Sequence, residues 1–225
     1  MQANYVQRLR LQFAKVGPTR FIGHLDLAKA LERSLNRAQI PLAYTQGYNP
    51  RPRMQLAAAL PLGFTSECEL ADIWLLEVVD PGSACKAMAP KMAPGIELRM
   101  VSQVDLSEPA LQNLVQEAAY LATIGSSPGP RAMADVIDQF LSATSIIRER
   151  RGKNYDLRPL VHELALVKPP EALRSGEAPI SDELVLSMRL SMLPGKTGRP
   201  DEVLDALGLD ALDARIHRQR LILAH

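Results

Sequence analysis

Leu9, Leu11 and Phe13 alternate with Arg8, Arg10 and Gln12, and beyond Gly17-Pro18 the apolar spacing changes to Leu27, Leu31, Leu35 and Ala38. Period two marks a half-buried strand and spacings of three and four mark an amphipathic helix. A strand over residues 5–13, with one polar and partly basic face, therefore leads into a helix over 24–38. Short strands over 42–45 and 54–59 flank a loop that its prolines and glycine keep from continuing the helix. Residues 69–78, rich in branched and aromatic side chains, read as a strand, 81–92 as a helix and 96–104 as a further strand. The order strand, helix, strand, strand, helix, strand is that of a ferredoxin-like βαββαβ unit, an antiparallel sheet with both helices on one face.

A second round follows the loop chemistry of Asp105, Ser107, Glu108 and Pro109. Residues 114–124 read as a strand, although Glu117, Ala118 and Ala119 leave a helix open. A helix over 131–141, strands over 145–150 and 153–167, and a strand over 183–192 come next, with Pro159 bending the second of these strands or placing it at an edge. Pro200 suits the first turn of a helix over 200–207, Gly208 its stop, and 214–223 closes the round as a strand. The expected fold class is α+β: two tandem ferredoxin-like (βαββαβ) units, residues 1–106 and 107–225, the second with one additional strand. The stretch 166–181, with Pro169, Pro170, Gly176 and Pro179, is the expected flexible loop.

A length of 225 residues suits two modest domains, and an aromatic fraction of 4% leaves their cores to Leu, Ala, Val and Ile. Cys68 and Cys85 match neither a disulfide framework nor a zinc site. No apolar run reaches the roughly 18 residues of a membrane span, and the first residues lack the apolar stretch of a signal peptide, so a cytoplasmic chain with no membrane partner is expected.

With a formal net charge of +1, the whole chain exerts no electrostatic pull on a polyanion, and any such binding must come from local clusters. The most basic segment is 15–53, where Lys15, Arg20, Lys29, Arg33, Arg37, Arg51 and Arg53 face only Asp26 and Glu32. Its loop adds Tyr44, Gln46, Tyr48 and Asn49, so rings, amides and guanidinium forks are mixed as in single-strand RNA sites. The bland alternative is a solvated loop over the Arg-rich polar face of a helix. A second cluster holds Arg148, Arg150, Arg151, Lys153 and Arg158 against Glu149 and Asp156. Phosphate oxygens are its natural guests, but Gly152 also makes it an ordinary basic hairpin turn. Convergence of both clusters on one groove would strengthen the case for a polyanion site.

His24 and Asp26 are the available proton-transfer pair, but a spacing of two on a helix points the side chains about 200° apart. They are weak catalytic candidates. Pro194-Gly195-Lys196-Thr197-Gly198 ends like a phosphate-binding loop, yet Leu190 stands where the first glycine is required, so it reads as a turn. No spacing of His or Cys suggests a metal, and no dinucleotide fingerprint or nucleophile elbow is present. The chain is thus expected to carry no intrinsic cofactor and not to be an enzyme on its own.

The segments Arg20-Phe21-Ile22-Gly23-His24-Leu25-Asp26-Leu27 and Pro41-Leu42-Ala43-Tyr44-Thr45-Gln46-Gly47-Tyr48-Asn49-Pro50-Arg51-Pro52 resemble the radical SAM-linked family of bacteria. Leu60-Pro61-Leu62-Gly63 and, more loosely, Tyr155-Asp156-Leu157-Arg158-Pro159-Leu160 extend the likeness. This domain of unknown function occurs alone or attached to the C-terminal end of a radical SAM protein. The resemblance implies a partner that brings the iron-sulfur cluster and S-adenosylmethionine, while this chain recognises the substrate; the genes that often neighbour family members tilt that substrate toward RNA. The leading expectation is an RNA-binding accessory module. A metal-independent RNA-processing enzyme using His24, and a protein-interaction scaffold for the radical SAM partner, are the alternatives.

Overall fold

The computed structural model describes residues 5–125, 129–150, 152–168 and 184–224. Two compact units make up the chain: one runs to Val115 and takes in Ala224, and the other is Gln116–Leu223. The expected loop at 166–181 lies for the most part outside the described residues, as does Arg151.

The first unit contains β1 (Gln7–Lys15), α1 (His24–Arg37), β2 (Met54–Leu56), β3 (Thr65–Leu75), α2 (Pro81–Met88), β4 (Ile96–Val104) and the short α3 (Leu111–Leu114). Its strands lie in the order β4-β1-β3-β2, and every neighbouring pair is antiparallel. Leu9, Leu11 and Phe13 from β1 share one core with Leu27, Leu31 and Leu35 of α1 and Ala84 and Met88 of α2. Both helices therefore cover the same sheet face, and each fully buried Leu contributes about 1.5–3 kcal/mol. Asp80 caps α2 by accepting a 2.7 Å hydrogen bond from the Ser83 backbone N–H, which holds its carboxyl below the usual range.

The opposite face of β1 departs from expectation. Arg8 is only 1% exposed and Arg10 is largely covered, so the basic face is not solvated. Asp72, opposite Arg10 in the β1–β3 register, accepts from Arg8 Nε at 2.9 Å and Nη2 at 2.5 Å, and from Arg10 Nε at 2.8 Å. The strand expected over 42–45 is reduced to isolated bridges, Leu42 to Leu75 and Tyr44 to Pro52, and only Met54–Leu56 of the next one forms. Proline at 41, 50 and 52 removes the donors that a longer ladder needs.

The second unit contains β5 (Val115–Ile124), α4 (Pro130–Ser142), β6 (Ile147–Arg150), β7 (Lys153–Asp156), β8 (Val161–Val167), β9 (Leu184–Leu193), β10 (Lys196–Thr197), α5 (Pro200–Ala206) and β11 (Ala214–Leu223). β9 pairs with β5, with β8 and with β10, while β11 neighbours β5. Residues 114–124 thus resolve into the last residue of α3 followed by strand. The single strand expected over 153–167 is broken at a 3-10 turn, Arg158–Leu160. Pro159 supplies no N–H there, and Arg158 secures the break by donating to the carbonyls of Leu141, at 2.9 Å, and Val161, also at 2.9 Å. β6 and β7 form a separate two-stranded ribbon instead of joining the larger sheet. Among the described residues no helix is long and apolar enough to cross a membrane.

Candidate nucleic-acid interface

The loop between Ala43 and Arg53 is closed at its base by backbone bonds. Arg53 N–H donates to Ala43 O at 2.7 Å and Thr45 N–H to Arg51 O at 2.8 Å. Gly47, at φ +137°, makes the bend between them, and Gln46, Tyr48 and Asn49 are all exposed around it. Two side chains lash the loop to α1: Tyr44 OH donates to Asn36 Oδ1 at 3.2 Å, and Arg51 Nη2 to Glu32 Oε2 at 3.3 Å. Glu32 and Asn36 are four apart, hence on one face of the helix. The outcome is a fastened loop with a free tip, on which the Tyr48 ring is 99% exposed. A ring held out in that way gives up about 150 Å² or more of apolar burial, which makes it available to another flat surface.

The other expected contacts of this segment differ in availability. Arg33 stands exposed on α1. Arg20 lies on the 3-10 turn Gly17–Phe21 with its guanidinium 4.7 Å from the Phe21 ring centre. Arg53 is half-buried with its guanidinium 4.6 Å from the Tyr5 ring and 5.1 Å from Trp74, so its flat faces already serve the fold. His24 and Asp26 are both exposed at the start of α1; Asp26 accepts from Lys29 Nζ at 3.3 Å, and among the described residues no hydrogen bond joins it to His24. Phe21, Leu25 and Leu62, which belong to the segments that carry the family resemblance but have no role read from the sequence, are 65%, 73% and 63% exposed. A 2.8 Å bond from Gly63 N–H to Arg20 O ties the turn carrying Leu62 to the one carrying Phe21.

In the second cluster Arg148 pairs with Glu202 at 3.5 Å and Asp205 at 3.6 Å, and Arg158 is engaged with carbonyls as described. Arg150 and Lys153 line a cavity that also includes Tyr155. Burial, followed by the Glu202 carboxylate, pushes the Tyr155 hydroxyl up to about 12. A spectrophotometric titration is expected to show a tyrosinate phase near pH 12 that is lost in Tyr155→Phe. Among the described residues no group of three His, Cys, Asp or Glu is placed to hold a metal ion.

Among solved structures, a chain in the crystal structure of a Cbf5-Nop10-Gar1 complex is 9% identical, with a TM-score of 0.51 over 95% of this chain and 48% of that one. A chain in the structure of an H/ACA RNP bound to a substrate RNA containing 2'-deoxyuridine is also 9% identical, with a TM-score of 0.47 over 96% of this chain and 47% of that one. The chain thus spans about half the length of the solved chains it matches, and the first likeness concerns the fold alone. No curated protein matches it. Residues 8–200 match the family described as uncharacterized protein conserved in bacteria (DUF2344), and the chain belongs to that family.

Proposed function

We propose that this chain is an RNA-recognition module that works beside a radical SAM enzyme in the cytoplasm, each of its two units being a ferredoxin-like βαββαβ fold. The observation that carries the RNA reading is the Tyr48 ring, 99% exposed at the tip of a loop whose two ends are fastened to α1. A base stacks on such a ring without regard to sequence, for about 1–3 kcal/mol, while Arg20, Arg33 and Arg51 take phosphates and Tyr44, Gln46 and Asn49 offer hydrogen bonds. The strand order β4-β1-β3-β2, antiparallel throughout, supports the ferredoxin-like reading of the first unit. The cluster and S-adenosylmethionine belong to the partner, and the motif at 20–27 and 41–52 supports that association. The exposed apolar side chains Phe21, Leu25 and Leu62 are the ones assigned to docking of the partner.

Filter binding of a single-stranded RNA 12-mer tests the first part. About three neutralised phosphates give a log-log salt slope near −2, and Tyr48→Ala with Arg51→Ala is expected to weaken binding roughly tenfold to a hundredfold. No affinity at low salt, or affinity indifferent to that pair, removes the RNA reading. Co-purification with a radical SAM protein, followed by its iron-sulfur absorbance, tests the second part: Phe21→Asp with Leu25→Asp should lose the partner and keep the RNA.

The exposure of both His24 and Asp26 at the start of α1, the helix to which this loop is fastened, favours one further reading, a metal-independent RNA-processing activity. In that case His24→Ala or Asp26→Ala abolishes turnover of bound RNA at unchanged affinity; a recognition module has no turnover to lose.

A further inference from the structure

We infer that the second unit holds a separate site for a nucleotide carrying a phosphomonoester. The cavity beside β7 and the β9–β10 hairpin has a volume of about 640 Å³, within the roughly 300–1,000 Å³ range of small-ligand sites. Arg150, Lys153 and Lys196 line it. Among the described residues none of the three is paired with a carboxylate, so their charge is available to a guest. One carboxylate, Asp156, lines the cavity too, and both it and the nearby Glu202 are engaged by other groups. Asp156 Oδ1 accepts the backbone N–H of Ile146 at 2.8 Å and of Arg158 at 3.1 Å, while Glu202 is paired with Arg148. The remaining wall sets Tyr155, Pro159, Leu160 and Leu193 beside the polar His162, Ser191 and Thr197.

Lys196 is held where it is by its hairpin. Gly195 turns the chain at φ +73°, Ser191 Oγ donates to the Lys196 carbonyl at 2.7 Å, and Gly198 N–H returns to Ser191 O at 2.8 Å. A Cβ on Gly198 would sit 2.9 Å from the Leu160 carbonyl, so the hairpin rests directly on the 3-10 turn that forms another part of the lining. The Gly-Lys-Thr sequence here is a β-hairpin and not a phosphate-binding loop, because a strand and not a helix follows Gly195. Its lysine nevertheless joins two cations from the β6–β7 ribbon around one hollow. Three cations suit a phosphomonoester dianion better than a single-charged phosphodiester, and the apolar part of the wall with its phenol ring suits a planar base. The required chemistry is that of a nucleoside monophosphate, either free or as the phosphorylated end of a chain. This assignment does not rest on the RNA reading of the first unit.

Isothermal titration of the full chain with UMP and AMP, against uridine, inorganic phosphate and a 5'-phosphorylated RNA 6-mer, tests it. The monophosphates are expected to bind at least tenfold more tightly than uridine or phosphate. Arg150→Gln with Lys196→Gln should weaken them tenfold or more at an unchanged thermal midpoint, and Tyr48→Ala with Arg51→Ala should leave them unaffected. Equal binding of UMP and the 6-mer assigns a free nucleotide, and tighter binding of the 6-mer through the same two residues assigns a chain end. The inference is overturned if no monophosphate binds, if phosphate or uridine alone binds as well, or if the Arg150 and Lys196 changes have no effect. Lys153→Gln gives an independent variant should the first pair perturb the fold.

Discussion

Asp72→Ala is expected to cost the first unit about 3–5 kcal/mol, because it strands positive charge inside the protein. Asp72 is fully buried and Arg8 is 1% exposed, and the single carboxylate receives both Arg8 and Arg10. Glu108 supplies the second negative charge, 2.7 Å from Arg10. Arg8 also donates to the carbonyls of Glu108, at 2.6 Å, and Pro109, at 3.0 Å, so the pair closes the end of the first unit as well as its sheet. Removing the carboxylate leaves the buried Arg8 guanidinium with carbonyls alone and Arg10 with only Glu108 to compensate the loss of water. Trp74 is the chain's one tryptophan, with the Arg8 guanidinium 4.9 Å from its ring, so its fluorescence reports this unit during urea unfolding. The midpoint should fall steeply. Arg8→Met with Asp72→Leu should lose less than the two single changes summed, since apolar replacement removes charge and desolvation cost together. A midpoint for Asp72→Ala equal to that of the parent would show that water reaches the site and that the network contributes little.

That network illustrates what was and was not legible in the sequence. β1 and α1 could be read because Leu9, Leu11 and Phe13 keep an unbroken period of two and Leu27, Leu31 and Leu35 a spacing of four. The same alternation made Arg8 and Arg10 look solvated, since nothing local reveals that a carboxylate from β3 will stand in register with them. Charge counting met the same obstacle in the second cluster. Arg148 pairs with Glu202 and Asp205 that α5 brings up, while Arg150 and Lys153 look alike in sequence and have no such partners among the described residues. The exposed loop was easier, because Gly47 and its prolines forbid regular structure whatever packs nearby. The break at Pro159 was half legible: proline announced an irregularity, but only the carbonyls of Leu141 and Val161 show why the chain turns there. Lys196 is invisible to the phosphate-loop template, which its motif does not meet, although glycine turns at 152 and 195 flanked by cations are a signal of their own.

Gly95→Ala is expected to cost about 2–5 kcal/mol and to act on the proposed docking face as well as on stability. Gly95 sits at φ +83°, where a side chain costs about 1–2 kcal/mol, and its Cβ would lie 2.6 Å from the Val16 carbonyl oxygen and 2.7 Å from Thr19 Cγ2. Overpacking of that kind adds about 1–3 kcal/mol. Neither neighbour can give way cheaply. Val16 N–H and Thr19 Oγ1 both donate to the Gly95 carbonyl, at 2.8 Å and 3.0 Å, and Thr19 Oγ1 is also 2.6 Å from Val16 O. This clasp joins the end of β1 to the start of β4 and sets the turn that carries Arg20 and Phe21. Displacing it should weaken capture of the proposed radical SAM partner through Phe21, while the Tyr48 loop, fastened separately to α1, keeps the proposed affinity for RNA. Gly47→Ala is the matched control: it too lies at positive φ, but a Cβ there meets nothing within 4 Å, so only the backbone term of about 1–3 kcal/mol applies and no overpacking adds to it. Equal urea midpoints for the two glycine variants would mean that the clasp yields, and that the turn bearing Phe21 is not positioned by β4.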